Sequence, residues 1–331
     1  MPEQHPLGIR SIAERLQLRL RTGYRTTLLL GSRAGALYRS NLHRKLEEVS
    51  VSDLNDLSPP ERFKACHRIL FSNLRSQFSE AELHKLIGTT LQEVEFCSAD
   101  FGLADLIKLG YFNTIITTNI DDMLERALSM IDVKDLEIII GNRTKNLDPY
   151  RRYSTYQIMK VFGDILSREY NLKEQTKYIH ENRELKKYLD DNLSGDVLMI
   201  GIDPAWDAAL VNLLPFQGGT LWYIDEELPH EESPIGSLLR ERQAQYVSGR
   251  EGNYEHFIFM LYQHLCLSSP FNYKLGRDLL NHMYEVKKRI DTLETRVEAL
   301  QNHMERMITM QDVLLDTITR EKMDLREIMP K

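Results

Sequence analysis

Residues 111–128 read YFNTIITTNIDDMLERAL, and the reading of this stretch decides the fold. Thr114 to Thr118 is a short apolar, β-branched run. After Asn119-Ile120-Asp121-Asp122 the spacing turns helical, with Met123, Leu124, Ala127 and Leu128 on one side. A buried parallel strand followed by its helix has this pattern. In doubly wound sheets, ligands sit beyond the carboxyl ends of such strands. Asn119 and Asp121 then stand where a small molecule would be held. Read alone, the same two residues are an N-cap pair for the following helix, a position that Asn and Asp favour anyway.

Working outward, Thr26 to Leu30 is another short strand, ending at Gly31. Ser32-Arg33-Ala34-Gly35-Ala36 follows and runs into a helix through Tyr38 and Leu42. A strand, a small-residue turn and a helix let backbone N–H groups approach a phosphate. Residues 51–110 read as wholly helical, with capping boxes at Ser58–Glu61 and Ser79–Glu82. Further strands are expected at Leu136–Ile140, from Ile158, at 196–201 (DVLMIG), at Thr220–Ile224 and at Ala244–Val247. Residues 166–194 read as charged helix, and Glu255–Cys266 as a closing helix. Asp203 suits an N-cap and Pro204 a first turn, which makes Asp207 either a first-turn acid or a ligand group. Asp225 ends a strand; it reads as a loop acid in preference to a ribose ligand. About six strands alternating with helices predict an α/β fold with a doubly wound, mostly parallel, Rossmann-like sheet.

TTNID, residues 117–121, is similar to the TQNID signature of the sirtuin family. Gly31, Ala34 and Gly35 echo that family's Gly-Ala-Gly turn. KVFGD, residues 160–164, resembles its Lys, aliphatic, His, Gly, Asp or Ser segment, and VLMIG before Asp207 resembles its strand, turn and acid. These motifs keep the family's order over residues 26–225. The resemblance implies an NAD-binding domain of the bacterial-effector-like branch, with NAD or ADP-ribose as cofactor, or none bound. It implies that Asn119 holds the nicotinamide ribose and its attacking water, and that Asp121 contacts the nicotinamide amide. It implies a cofactor cradle of Gly31, Ser32, Arg33, Ala34 and Gly35, with Gly201 and Asp207 on the adenosine side. Residues 51–110 occupy the place of the family's smaller, variable insertion.

Two residues depart from the family pattern. Arg33 puts a long side chain where a second Gly is usual; it would pair with a phosphate or fill the pocket. Phe162 stands at the position of the family's histidine base. A positioned histidine contributes about 10²–10⁴ in rate, and Phe cannot titrate. The expectation is a degenerate site: a pseudoenzyme acting as a scaffold or regulatory component of an antiphage-defence type of system. The alternative is an active NAD⁺ hydrolase that uses Asn119 and Asp121. Deacylation is disfavoured, because Cys66, Cys97 and Cys266 are far apart and cannot supply the four paired thiolates of the family's zinc module. No metal is expected, and His67 and His84 read as helix-surface residues.

The chain has 331 residues, 42% hydrophobic and 27% charged, which is ordinary for a soluble globular protein. A net charge of -7 gives no electrostatic case for nucleic acid or membrane. No apolar run approaches a membrane span and the N-terminus has no signal core, so a cytoplasmic location is expected. Residues 7–21 place Leu7, Ile12, Leu16 and Leu20 near one helical face, ringed by Arg10, Arg15, Arg19 and Arg21. That helix reads as amphipathic with a solvated basic rim, in preference to a nucleic-acid patch.

From Met283 the pattern becomes a heptad. One seam is Met283, Ile290, Val297, Met304, Gln311, Ile318 and Leu325; the other is Val286, Leu293, Leu300, Met307 and Leu314. Two filled seams over several heptads predict a long coiled-coil helix, paired in a homo-oligomer through 283–325 in preference to a hetero-partner. The expected division is 1–50 for the first strand-turn-helix, 51–110 for the helical insertion, 111–268 for the remaining α/β domain and 273–329 for the coiled coil.

Overall fold

A computed structural model describes residues 8–40, 79–141, 155–171, 175–204 and 206–266, with scattered positions between 289 and 308. Two compact units divide the chain, Met1–Leu267 and Ser268–Lys331.

The first unit is built on one sheet. Its strands are β1 (Thr26–Leu30), β2 (Thr114–Thr117), β3 (Leu136–Ile140), β4 (Tyr156–Lys160), β7 (Asp196–Ile200), β8 (Leu221–Ile224) and β9 (Gln245–Val247). The order is β3-β4-β2-β1-β7-β8-β9, and every pairing is parallel. This is a doubly wound, Rossmann-like α/β fold, with seven strands in the sheet among the described residues, where about six are expected. The chain leaves β1 towards β2 on one side and returns as β7 on the other. The order therefore reverses between β1 and β7, and the crevice beyond their carboxyl ends is the topological switch point.

Both faces of the sheet are covered, which is why the strands are continuous apolar runs. On one face Leu29, Ile116, Met159, Met199 and Tyr223 lie in register and are buried. They form one core with Leu83 and Ile87 of α3 (Glu80–Gln92), Ile179 of α6 (Gln175–Glu181), and Leu185 and Leu189 of α7 (Arg183–Leu193). Leu210 of α8 (Ala208–Val211) and Ile235 of α9 (Pro234–Glu241) complete that layer. Burying each large aliphatic chain contributes about 1.5–3 kcal/mol. The opposite face is covered by α1 (Ile9–Thr22), α4 (Ser98–Lys108), α5 (Met123–Met130) and α10 (Tyr254–Leu265). Between β1 and α3 lies the short helix α2 (Ala36–Arg39).

Ser79 opens α3 with the expected capping box: its hydroxyl accepts from the Glu82 amide, and the Glu82 carboxylate accepts from the Ser79 amide. The other box, Ser58–Glu61, lies outside the described residues. In α1, Ile9, Ile12, Ala13 and Leu16 are buried, but Leu20 is exposed. Two of its arginines are used inside the fold. Arg15 donates to Gln245 Oε1 at 2.9 Å, while Arg19 is ion-paired with Asp196 and lies 4.9 Å over the Trp222 ring. That removes two of the cations on which a nucleic-acid patch would depend.

Two local expectations are corrected. Residues 166–194 are not one helix: β5 (Gly163–Asp164) and β6 (Glu169–Tyr170) form an antiparallel hairpin before α6 and α7. Asp203 and Pro204 do not open a helix. The chain makes a turn there, with the Asp203 carboxylate accepting from the Trp206 amide at 2.9 Å, and α8 begins only at Ala208. Among the described residues no helix is long and apolar enough to cross a membrane. In the second unit, the seam residues Leu293, Val297, Leu300 and Met304 are helical and 51–62% exposed. The rest of the heptad pattern lies outside the described residues.

Candidate functional site

The sequence-predicted residues come together at the carboxyl edge of the sheet, around three turns that follow β1, β2 and β7. Gly31 and Gly201 bring two of these turns into contact. A Cβ on Gly31 would stand 2.3 Å from the Gly201 carbonyl oxygen, and Gly201 itself has φ +65°, where only glycine is comfortable. The β2 turn closes against the same place. Asn119 donates through Nδ2 to the Gly31 carbonyl at 3.0 Å and to Thr117 Oγ1 at 3.0 Å.

Asn119 is therefore not a helix cap. The N-caps are Asp122 for α5 and Gly35 for α2, but it is the Asp121 carboxylate that accepts from the first amide of each helix. Its Oδ1 accepts from the Met123 amide at 3.2 Å, at the start of α5, and its Oδ2 from the Ala36 amide at 2.9 Å, at the start of α2. Burial raises the pKa of this carboxyl, while Lys160 and the two amides pull it down.

A small cavity enclosing about 400 Å³ of atom-free space, open solvent included, lies against Asn119 and Asp121. Its polar lining also includes Thr117, Glu125, Tyr254 and the ion pair of Arg39 with Asp100. Arg39 grips Asp100 with two parallel hydrogen bonds of 2.9 and 3.0 Å and donates to Cys97 Sγ at 2.8 Å. Burial pushes the Cys97 thiol up to about 12, so it is held as the unreactive thiol.

Glu125 was not singled out in the sequence. Its carboxylate is 2.7 Å from the ammonium of Lys160, which is fully buried. Lys160 also donates to Asp164 Oδ1 and to the Asp121 carbonyl, each at 2.6 Å. All three donors of the ammonium are thus used, as a buried charge requires. Burial alone would lower the Lys160 pKa, but Glu125 and Asp164 raise it. Burial raises that of Glu125. The visible signal was a lysine inside the apolar run Ile158–Val161.

Phe162 is 1% exposed and belongs to a buried core cluster with Val161 and Met159. It is not among the described residues lining the cavity of Asn119 and Asp121, and none of those is a histidine. His84 is half-buried, not a surface residue, and stacks on Tyr170 with ring centroids 6.0 Å apart. His67 lies outside the described residues. Among the described residues no group of three or more His, Cys, Asp or Glu is placed to hold a metal.

The β1–β7 crevice has a different character. Asp207 is fully buried between the two turns. Its Oδ2 accepts from the Ser32 amide at 3.0 Å, the Ser32 hydroxyl at 3.1 Å and the Asp203 amide at 2.7 Å. Burial pushes this carboxyl up to about 7, against the lowering effect of the nearby Thr118 hydroxyl and the two amides. Arg33 lies across the crevice. It donates to Asp225 Oδ1 at 2.7 Å and to Asp203 Oδ2 at 3.3 Å. Asp225 is thereby a buried ion-pair partner and not a loop acid; burial pushes it up to about 6, with Arg33 opposing.

The backbone donors of the first turn can be followed one by one. Gly31 N donates to the Ile200 carbonyl, Arg33 N to that of Gly201, Ala34 N to Gly31 and Gly35 N to Ser32. Ser32 N is taken by Asp207 and Ala36 N by Asp121. Every N–H from residue 31 to residue 36 has a partner within the chain. NAD or ADP-ribose, the cofactors the resemblance implies, need such donors for their pyrophosphate. In this conformation the residues do not fit that group.

Fold and site together define the chain as a Rossmann-like α/β protein whose switch-point crevice is closed by its own side chains. A solved structure from work on the mechanism and regulation of Sir2 enzymes is similar at 14% identity over 78% of this chain and 96% of that chain, with a TM-score of 0.36. So low a score carries no weight for fold or site, both of which rest on the sheet order and hydrogen bonds above. No family model matches the chain, and no curated protein does.

Proposed function

We propose that this chain is a sirtuin-like nucleotide-binding-fold module with a degenerate catalytic site, working as a regulatory or scaffold component and not as a turnover enzyme. The observation that carries this reading is the cavity of Asn119 and Asp121, which has no histidine among its described lining residues, while Phe162 packs in the core. The C-terminal heptads would assemble the module into a homo-oligomer. The exposed Leu293, Val297, Leu300 and Met304 support that part of the reading. Calorimetry of the full chain with NAD and ADP-ribose, alongside an assay of nicotinamide release, tests it. Turnover by the wild-type chain would sink the non-catalytic reading. Light scattering of wild type against Leu293→Lys/Leu300→Lys tests the assembly.

A second reading is favoured by one observation: Glu125 lines the same cavity as Asn119 and Asp121. Carboxylates serve as proton acceptors in glycoside hydrolysis, so an NAD⁺ hydrolase would not need a histidine. Nicotinamide release that is lost in both Asn119→Ala and Glu125→Gln would establish it. A flat time course at high enzyme concentration would remove it.

A further inference from the structure

Four turns meet around the β1–β7 crevice, and the chain's own side chains join them. The Asp207 carboxylate takes the Ser32 amide and hydroxyl from the β1 turn and the Asp203 amide from the β7 turn. Beside it lies the buried Thr118 hydroxyl of the β2 turn. Arg33 reaches from the β1 turn to Asp203 and to Asp225, which follows β8 and also accepts from the Glu227 amide at 3.1 Å. A pyrophosphate here would meet no free N–H from residue 31 to residue 36, and would add charge beside three buried carboxylates. The surplus of acceptors has a simpler remedy. Asp207 Oδ1 and Asp225 Oδ2 are buried without a hydrogen-bond partner, and burial pushes the two carboxyls up to about 7 and about 6. A proton turns such an oxygen from an acceptor into a donor.

We propose that this cluster is a cofactor-independent lock: Asp207, with the Arg33–Asp203–Asp225 group, holds the four turns in place, and the crevice takes no dinucleotide. The inference rests on the non-catalytic reading above and sharpens it, since a module locked by its own side chains keeps its shape whatever the nucleotide supply. The partners belong to one chain, so no ligand concentration enters the equilibrium. Arg33 has a role here that a small turn residue could not fill, because it carries the cation that ties the β1 turn to Asp225. The lock also sets the neighbouring cavity. Asn119 follows Thr118 and donates to the Gly31 carbonyl, next to Ser32. Its side chain is therefore placed before anything enters the cavity.

Amide hydrogen exchange and calorimetry on the full chain test the proposal. In wild type, the Ser32 and Asp203 amides are expected to exchange as slowly as those of the central strands. NAD and ADP-ribose are expected to give no binding heat and to leave that protection unchanged. Asp207→Ala is expected to speed exchange at both amides by about tenfold or more, while Asp207→Asn, which keeps an oxygen to accept from them, retains the protection. The wild-type measurements stand by themselves if Asp207→Ala does not fold. Binding of NAD or ADP-ribose without nicotinamide release would overturn the lock and leave the non-catalytic reading standing. Nicotinamide release would overturn both. Fast exchange at Ser32 and Asp203 in wild type, or unchanged exchange in folded Asp207→Ala, would also overturn the lock, whatever the calorimetry shows.

Discussion

A Cβ added to Gly35 would stand 2.1 Å from Asn119 Oδ1 and 3.0 Å from Asp121 Oδ2. The Asn119 side chain has little room to yield, because its Nδ2 is held by both Gly31 and Thr117. The closeness of the β1 and β2 turns is therefore set by the absence of a side chain at residue 35. Gly35→Ala is expected to destabilise the fold by about 1–3 kcal/mol, the usual range for overpacking. Asn119→Ala in the same chain should recover part of that loss, since the clash is with its amide. Urea denaturation of the two single variants and the double variant measures the coupling. Strict additivity would show that the contact does not set the geometry.

This relationship marks the limit of what could be read from the sequence. β1 and β3 could be read to the residue, because a short apolar run with glycine after it offers few other structures. The small-residue turn after β1 and the polar pair after β2 were visible for the same reason. The partners were not. Arg33 meets Asp203 and Asp225 across 170 and 192 residues, and Asp207 meets Ser32 across 175. No local periodicity encodes such pairs; they follow from the strand order, which brings β1 beside β7. Phe162, which the sirtuin resemblance puts at the base position, is a buried core residue and is not among the described residues that line the cavity.

Lys160 offers a sharper stability test. Its ammonium satisfies Glu125, Asp164 and the Asp121 carbonyl at once, and none of it reaches solvent. Removing one partner from a buried ionic cluster leaves the remaining charges uncompensated, at about 3–5 kcal/mol. Lys160→Met is expected to fall in that range. Adding Glu125→Gln should return part of the loss by removing one of the stranded carboxylates. A loss below about 1 kcal/mol for Lys160→Met would mean the cluster is open to water.

Phe162→His is the substitution that the sirtuin resemblance of residues 160–164 would choose to restore a base. The geometry expects otherwise. Phe162 is 1% exposed among apolar side chains, so an imidazole there would be buried without an evident partner. That costs about 1–3 kcal/mol. The variant is expected to show a lower Tm and no nicotinamide release above the wild-type level. Release gained by the variant, at unchanged Asn119 and Asp121, would show that residue 162 reaches the cavity after all.

Asp207 gives the fold a pH dependence opposite in sign to that of an ordinary salt-bridged carboxylate. Burial raises its pKa in the folded chain to about 7, from a model-peptide value of 3.8. Between those values the folded chain holds a proton that the unfolded chain has released. Stability therefore falls as pH rises through this window, by at most about 1.4 kcal/mol per unit, and levels off above it. Asp225, pushed up to about 6 by burial with Arg33 opposing, acts in the same direction, while Asp203 is the charged group that bears on Asp207. Asp207→Asn removes the titration but keeps an oxygen to accept from Ser32 and Asp203. The stability of Asp207→Asn relative to wild type should accordingly increase from pH 4.5 to pH 7.5, values that span roughly the shifted range. Urea titrations of both proteins at several pH values give that difference directly, with the other carboxylates cancelling. A difference that stays flat across the range would mean the carboxyl ionises as freely as in water, and that Asp207 is not enclosed between the β1 and β7 turns.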